Sequence, residues 1–313
     1  MPTRTQPNSS PPCPSAQPSP PDAKSALLPF PQALSAMSSL QSVELAGNAN
    51  HGFETLLAPT ALTLSALASG YAYPLHRNTV TALFPEPAPL KRLSLTLDIK
   101  AGEYDANGRD ANPALSAKKG AEYRTALLCL AERLPQLTSL QLSSSAAAAG
   151  LTPCMGPATL DVAGMSAHLR HLREVSLGGS ALLEGFAPLL PALPALTRLE
   201  LSGFGVGVFE GRGATCRALG ALGGLRQLRL AHADASRCHA AAAGAVLAAV
   251  RELSGLQVLE LDGRELVAAE ALGQLVPPPP ALRKLVVGGG RGALGVAERL
   301  LGGLVQEVCS PPE

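Results

Sequence analysis

One short pattern of leucines recurs through this chain and limits what it can fold into. In residues 253–262, LSGLQVLELD, the apolar residues Leu256, Leu259 and Leu261 are separated by polar ones. Leucines three residues apart, followed by strict alternation of apolar and polar residues, are typical of a turn that leads into a short strand. Successive side chains of a strand point to opposite faces, so Leu259 and Leu261 are predicted to face a core while Glu260 faces solvent.

The pattern, Leu-x-x-Leu-x-Leu with Val allowed, occurs eight times and is called the leucine frame below. Its copies begin at Leu40, Leu90, Leu137, Leu172, Leu196, Leu225, Leu256 and Leu282. The steps between these leucines are 50, 47, 35, 24, 29, 31 and 26 residues, and the shorter steps are typical of repeat architectures. The two longest steps are predicted to hold insertions or decayed copies, with one candidate copy around Leu62 and Leu64.

Segments of helical composition separate the predicted strands. They are rich in Ala, Leu, Glu and Arg, with apolar residues three or four positions apart, and they cover residues 120–137, 181–196, 239–256, 265–276 and 292–308. Each unit is therefore a strand followed by a helix. Parallel strands need a crossover of a dozen or so residues, so the strands are predicted to lie parallel with the helices on one side.

These units resemble leucine-rich repeats, and their length, with a full helix per unit, is similar to the ribonuclease-inhibitor-like class. The resemblance covers about residues 34–308. It implies an α/β solenoid, a horseshoe with parallel strands on the concave side and helices on the convex side. The family pattern places Asn or Cys eight residues after the first Leu, where only Asn48 fits and Phe204 and Ala233 do not.

The repeats predict one elongated domain. Length alone, 313 residues, would allow about two domains, but a solenoid grows along one axis with each unit contacting its neighbours. Residues 1–33 are dense in Pro and Ser and are predicted to be a disordered tail, as are residues 309–313. Within the repeat domain, residues 34–308, insertions are predicted near 101–119 and 143–164, the first as a polar surface loop.

Cysteine usage and hydropathy predict a compartment outside the secretory route. The six cysteines are spread without a CxxC, which favours reduced thiols in the cytosol or nucleus. The longest apolar run, residues 240–250, spans 11 residues and is too short to cross a bilayer. We expect a cytoplasmic protein that is not secreted and has no membrane partner, with cytoskeletal, axonemal or nuclear association as alternatives.

Charge balance and aromatic content predict the kind of partner. The chain has 25 Lys and Arg against 24 Asp and Glu, so we expect no basic field for phosphate backbones and no nucleic-acid partner. Aromatic residues make up 3%, which leaves few anchors for a tight interface. A polar protein partner held with moderate affinity is expected.

A glycine-rich segment gives the one hypothesis of a cofactor site. Gly290, Gly292 and Gly295 form GxGxxG after a predicted strand and before a predicted helix, the order that lets glycines approach a pyrophosphate. A dinucleotide fold also needs a second strand with an acid about 20 residues on, whereas here the chain reaches Glu307 in a predicted helix. A glycine-rich repeat turn is favoured, so we expect no cofactor.

Histidine spacing and a search for catalytic motifs also argue against a metal site or a catalytic site. His168 and His171 lie three apart on a predicted helix, but further ligands at zinc-like spacing do not accompany them. GxSxG, GxxxxGK[ST] and HExxH do not occur in the sequence. No metal site and no catalytic residue are therefore predicted.

The outward strand face is the surface predicted to bind a partner. Its protein-binding residues are predicted to be Glu44, Ser94, Gln141, Ser176, Arg198, Glu200, Arg229, Glu260, Asp262 and Lys284, and Val286 is predicted to lie at the end of the same row of outward positions. Neighbouring strands lie about 4.8 Å apart, so Glu200, Arg229 and Glu260 are predicted to meet. Two interpretations stay open: a solvated stripe paired with itself, or a patch that contacts a ligand.

The leading functional interpretation is a non-enzymatic scaffold that binds a protein. In the family that the repeats resemble, such scaffolds include inhibitors, axonemal and cytoskeletal proteins, and substrate receptors of ubiquitin ligases. A receptor role is an alternative that would require a separate adaptor, because too little sequence precedes Leu40 to hold an F-box. A nucleotide-binding enzyme using the loop from Gly290 to Gly295 is the remaining alternative.

Overall fold

The computed structural model describes nine stretches of the chain, residues 42–45, 66–73, 77–84, 87–97, 113–144, 162–204, 214–232, 240–288 and 290–307. The predicted tails lie outside these stretches, as do residues 101–112 and 145–161 of the two predicted insertions.

Ten strands of the described residues form one parallel sheet whose spatial order is the chain order. They are β1 (Ser42–Leu45), β2 (Ala66–Tyr73), β3 (Arg92–Leu97), β4 (Ser139–Ser144), β5 (Glu174–Gly178), β6 (Arg198–Phe204), β7 (Gln227–His232), β8 (Val258–Asp262), β9 (Lys284–Val287) and β10 (Val305–Glu307). Each strand pairs with the strand of the next unit, which is the arrangement of a solenoid.

Helices cover one side of this sheet. In the described stretches they are α1 (Arg77–Leu83), α2 (Pro113–Arg133), α3 (Val162–His168), α4 (Ser180–Phe186), α5 (Ala214–Gly220), α6 (Ala240–Arg251), α7 (Ala269–Gly273) and α8 (Gly290–Leu301), with 3-10 turns at Leu190–Ala192 and Gly302–Leu304. Helices of successive units pack on one another, as α6 does on α7. The predicted α/β solenoid, with parallel strands on the concave side and helices on the convex side, is confirmed.

The core lies between the sheet and the helices and is built from the leucine frame. From Leu90 to Val287, each of the three apolar positions in every copy is at most 5% exposed. Burying one such side chain contributes about 1.5–3 kcal/mol relative to leaving it in water. The frame therefore supplies one inward row of apolar groups per unit, and this row holds helix and sheet together.

A repeated hydrogen-bond pattern at the turns fixes how the units stack. The backbone carbonyl of Arg226, the second residue of its frame, accepts the N–H groups of Gln257 at 2.8 Å and Val258 at 3.0 Å from the next unit. The same double acceptance occurs at Lys91, Thr138, Arg173, Thr197 and Gln257. Because the second frame residue of each unit binds the same two positions of the next, the strands start in register.

The structure distinguishes a decayed copy from an insertion in the two long steps. In β1 and β2, Val43 pairs with Leu67, so the frame of β2 begins at Leu64 and divides the step of 50 residues into 24 and 26. The predicted decayed copy is therefore confirmed. In contrast, β3 pairs directly with β4, so the step of 47 residues holds an insertion.

The first insertion is shorter than predicted. Helix α2 begins at Pro113, so residues 113–119, predicted as surface loop, are its first two turns. Proline is favoured at the first helical position, where its fixed φ suits the helix and its missing N–H has no partner to lose. Pro113 is therefore a helix start signal, but the polar composition of this segment predicted a loop instead.

The end of the last predicted helix is wrong. Helix α8 stops at Leu301, and Val305–Glu307 forms the edge strand β10 beside β9, so Glu307 lies in a strand. Gly302 has φ of 58°, the left-handed conformation that commonly ends helices and that glycine adopts without strain. A glycine pair at 302 and 303 therefore converts the chain from helix to strand.

Two other predicted helices are shorter than their composition suggests. In residues 181–196, α4 ends at Phe186 and a 3-10 turn follows at Leu190–Ala192. Pro188 and Pro191 lack the N–H that an α-helix would need at those positions. In residues 265–276 only Ala269–Gly273 is helical. No helix in the described stretches has both the length and the apolar character needed to span a membrane.

Candidate protein-binding surface on the concave face

The register brings residues that are distant in the chain into one row on the concave face. We call this row the central column, and its members in strand order are Ala68, Ser94, Gln141, Ser176, Glu200, Arg229, Glu260 and Val286. Glu44 belongs to the same row through its backbone pairing with Ala68. The structure thus places every predicted column residue beside the next, with Ala68 added between Glu44 and Ser94.

Three predicted residues lie beside the central column. Arg198 on β6 and Lys284 on β9 each precede the column by two positions and share its face. Asp262 follows the column by two positions at the end of β8. The basic side chains are therefore at the strand starts and the acidic one is at a strand end.

The charged centre of the column is a chain of two ion pairs. Arg229 Nη1 lies 3.4 Å from Glu200 Oε1, and Arg229 Nε lies 3.9 Å from Glu260 Oε2. The prediction that these three side chains meet is confirmed. Their side chains are 46%, 26% and 43% exposed for Arg229, Glu200 and Glu260, and pairs in water contribute about 0–1 kcal/mol each. A partner could therefore replace these ion pairs with contacts of its own at a small cost in the free energy of unfolding.

The members of the central column from Ala68 to Ser176 are uncharged. Ser94 and Ser176 are half-buried and Gln141 is exposed, and beyond the column the hydroxyls of Thr96 and Ser143 lie 3.0 Å apart. A Cβ on Gly178 in β5 would lie 3.2 Å from Ser143 Cβ. The central column is therefore uncharged from β2 to β5 and charged from β6 to β8.

The last predicted member of the column is not solvated. Val286 is 9% exposed and counts among the buried residues, whereas its place in the column predicts an outward, wet position. The edge strand β10 pairs with β9 and was not predicted. Val286 is therefore not part of the solvated face.

The three glycines of the GxGxxG segment lie in α8. Gly290 opens α8, while Gly292 and Gly295 lie inside the helix, and a Cβ on Gly295 would meet nothing within 4 Å. A Cβ on Gly288 would lie 2.7 Å from Asp262 Oδ1. A carboxylate thus lies over the turn between β9 and α8, where a pyrophosphate would need N–H donors and positive potential.

The two histidines do not share a helix face. His168 is the last residue of α3, and His171 lies in the following turn, where Arg170 Nε donates to His171 Nε2 at 3.1 Å. The prediction of a common helix is wrong because the helix ends three residues early. Among the described residues, no three His, Cys, Asp or Glu side chains are arranged to hold a metal ion.

The two cysteines of the described stretches, Cys129 and Cys216, are buried thiols that form no disulfide bond there. Burial raises the pKa of the Cys216 thiol from its ordinary value, and the neighbouring Arg217 charge opposes that rise in part. A thiol whose pKa is raised carries less thiolate at neutral pH, so Cys216 has the character of a core residue and not of an activated nucleophile.

A second row of charge was largely missed from the sequence, since only Arg198 and Lys284 of its members were predicted. The second and third frame positions of β3 to β9 contain seven basic residues and one acidic residue, Glu174. The basic ones, which we call the basic edge, are Lys91, Arg92, Arg173, Arg198, Arg226, Arg283 and Lys284. The expectation of no basic field, taken from a net charge of +1, is wrong for this part of the surface. A comparison of the residue types at the second and third frame positions of all copies would have revealed the basic edge.

Comparisons with known proteins add little to this surface. No protein-family model matches the chain, and no curated protein matches it. One similar solved structure is the crystal structure of a TLR13–ssRNA13 complex, at 12% sequence identity and a TM-score of 0.20. The match covers 87% of this chain and 51% of that chain, so this chain spans about half its length. At that TM-score the likeness supports no inference about fold or ligand.

Proposed function

We propose that this protein is a non-enzymatic leucine-rich-repeat scaffold of the ribonuclease-inhibitor-like class that binds a protein partner on its concave face. The observation that carries the proposal is the register, which aligns polar side chains from successive units into one accessible face. The class is supported by units that combine one strand with one helix, the longest of which is α2 at 21 residues.

The chemistry of the face supports a protein partner held by polar contacts. The residues proposed to contact it are the ten predicted ones, from Glu44 to Lys284. Charged groups arranged in rows favour specificity and fast association more than high affinity. The ion pairs of Arg229 with Glu200 and Glu260 present both signs of charge to a partner, which suits a complementary polar surface.

An enzyme that binds a nucleotide is the weaker candidate. The order of strand, glycines and helix around Gly290 would support it, but the carboxylate of Asp262 lies against the turn at Gly288. A buried Cys216 with a raised pKa offers no nucleophile either. We therefore propose no cofactor for this chain.

A receptor for ubiquitin-ligase substrates is a special case of the scaffold. It would use the same concave face and would require an adaptor bound elsewhere on the molecule. We also propose a cytoplasmic location, because the cysteine usage favours a reducing compartment.

Reversing the charges of the central column is expected to abolish recovery of the partner. The variant carries Glu200→Arg, Arg229→Glu and Glu260→Arg, which keeps alternating signs on neighbouring strands and so keeps the ion pairs. Placing like charges against the partner should weaken binding by about tenfold or more. Affinity capture followed by quantitative mass spectrometry measures the change for each recovered protein.

The matched control is Glu298→Arg, which makes the same net change in charge at an exposed position of α8. It should recover the wild-type set of proteins. If the triple variant also recovers that set in the same amounts, the central column does not bind the partner.

A further inference from the structure

We propose that the basic edge holds an acidic, extended segment of the partner protein, which crosses the strands at their N-terminal ends. This inference rests on the proposed function, that a protein docks on the concave face, and adds the chemistry by which the partner is selected. The segment would carry carboxylates at regular intervals.

The leucine frame itself gives the basic edge a regular spacing. At the second frame position, Lys91, Arg173, Arg226 and Arg283 stand at β3, β5, β7 and β9, so that alternate strands carry a cation. With strands about 4.8 Å apart, these cations are roughly 10 Å apart along the edge. At the third frame position, a cation occurs on every third strand.

The double hydrogen bonds at the turns hold the base of these side chains in place. The carbonyls of Arg173 and Arg226 each accept two N–H groups from the next unit, so the backbone at both residues is fixed in register. Their guanidinium groups, however, are exposed. Neither takes part in the ion pairs that the described residues form around Arg229 and Arg251. A partner's carboxylates can therefore reach these two guanidinium groups, which form no ion pair with the residues that the structure describes.

An extended polypeptide matches this spacing. A chain in polyproline II conformation advances about 3.1 Å per residue with three residues per turn, so a carboxylate at every third residue recurs on the same side at roughly 9 Å. The distance from β3 to β9 is about 29 Å, which corresponds to about nine extended residues. Bidentate contacts between guanidinium and carboxylate groups would fix such a segment in orientation.

The rows beside the basic edge favour a peptide over a nucleic acid. Glu174 interrupts the edge, and the next row contains Glu200 and Glu260, so a wide polyanion would meet carboxylates as well as cations. The second and third frame positions of β3 to β9 contain no aromatic side chain on which a base could stack. A narrow acidic segment avoids the carboxylates of the central column.

The test measures binding of a fluorescein-labelled peptide of twelve residues with Glu at every third position and Gly or Ser between. Fluorescence anisotropy with the full chain should show saturable binding that weakens as salt rises, because salt screens exposed charges. The variant Arg173→Glu with Arg226→Glu should weaken it by about tenfold or more. The control Arg77→Glu with Arg264→Glu makes the same change in charge at exposed residues outside the basic edge. It should keep affinity within about threefold.

Three results would overturn the inference. One is no saturable binding of the peptide to the wild-type chain, and another is an equal loss in the edge variant and its control. The third is tighter binding of a twelve-nucleotide oligothymidine than of the peptide, lost in the edge variant, which would make the edge a nucleic-acid surface. If the peptide fails while reversal of the central column still abolishes partner capture, the proposed function stands and this inference alone is wrong.

Discussion

Replacing Leu259 with alanine is expected to lower the free energy of unfolding by about 2–5 kcal/mol, because it removes buried methyl groups and leaves a cavity. Leu259 is 0% exposed and pairs in register with Leu228 on β7 and Leu285 on β9. In a solenoid each unit is stabilised by its neighbours, so a cavity between two units weakens both. Urea denaturation followed by circular dichroism measures the change.

The adjacent residue supplies the control. Glu260→Ala removes a side chain that faces solvent and whose ion pair with Arg229, at 3.9 Å, lies in water, so the loss should stay within about 1 kcal/mol. Because the two residues are neighbours on one strand, the difference between the two losses in free energy of unfolding shows which face of the strand is buried. An effect of Glu260→Ala as large as that of Leu259→Ala would contradict the inward direction of the leucine frame.

The second large effect is expected at Gly255, just before the frame that begins at Leu256. A Cβ there would lie 2.7 Å from the carbonyl oxygen of Gly223 and 3.3 Å from that of Leu225, both in the backbone of the preceding unit. Neither oxygen can move without separating the two units. Gly255→Ala should therefore cost about 1–3 kcal/mol, the usual cost of overpacking, measured by the same denaturation.

Gly224 occupies the same repeat position one unit earlier and is the matched control. A Cβ on Gly224 would lie 3.6 Å from the carbonyl oxygen of Leu196, which is an ordinary contact. Gly224→Ala should be neutral or stabilise by about 0.4–1 kcal/mol, because alanine restricts the unfolded chain. Equal destabilisation at the two positions would show that the units are packed differently at this turn.

The fold was predictable because each leucine frame specifies both a strand and its buried face. The spacing of the copies was enough to predict parallel strands. A decayed copy was predicted around Leu62 and Leu64, but its frame, Leu64, Leu67 and Ser69, follows only from the strand pairing. Helix ends were less predictable, because they depend on single residues such as Pro113 and Gly302 whose effect competes with the composition around them.

The alignment of the central column was predictable from the sequence, whereas the basic edge and the identity of a partner were not predicted. The meeting of Arg229 with its two glutamates follows from strand alternation alone. The basic edge was missed because net charge averages over the whole surface, whereas repetition concentrates one frame position on one line. The identity of a partner does not follow from periodicity, since the inward residues determine the fold and the outward ones vary independently of it.

Distances between pairs of spin labels on the concave face test the central claim, which is that residues distant in the sequence form one row of evenly spaced neighbours. Spin labels would be placed at Gln141 and Arg229, and separately at Ser94 and Glu260, with the cysteines other than the buried Cys129 and Cys216 replaced by serine. Three and five strand spacings predict distances of about 14 and 24 Å between the labelled strands, close to 4.8 Å for each step. Distances that do not increase with the number of strands between the labels would contradict the solenoid and, with it, the binding surface.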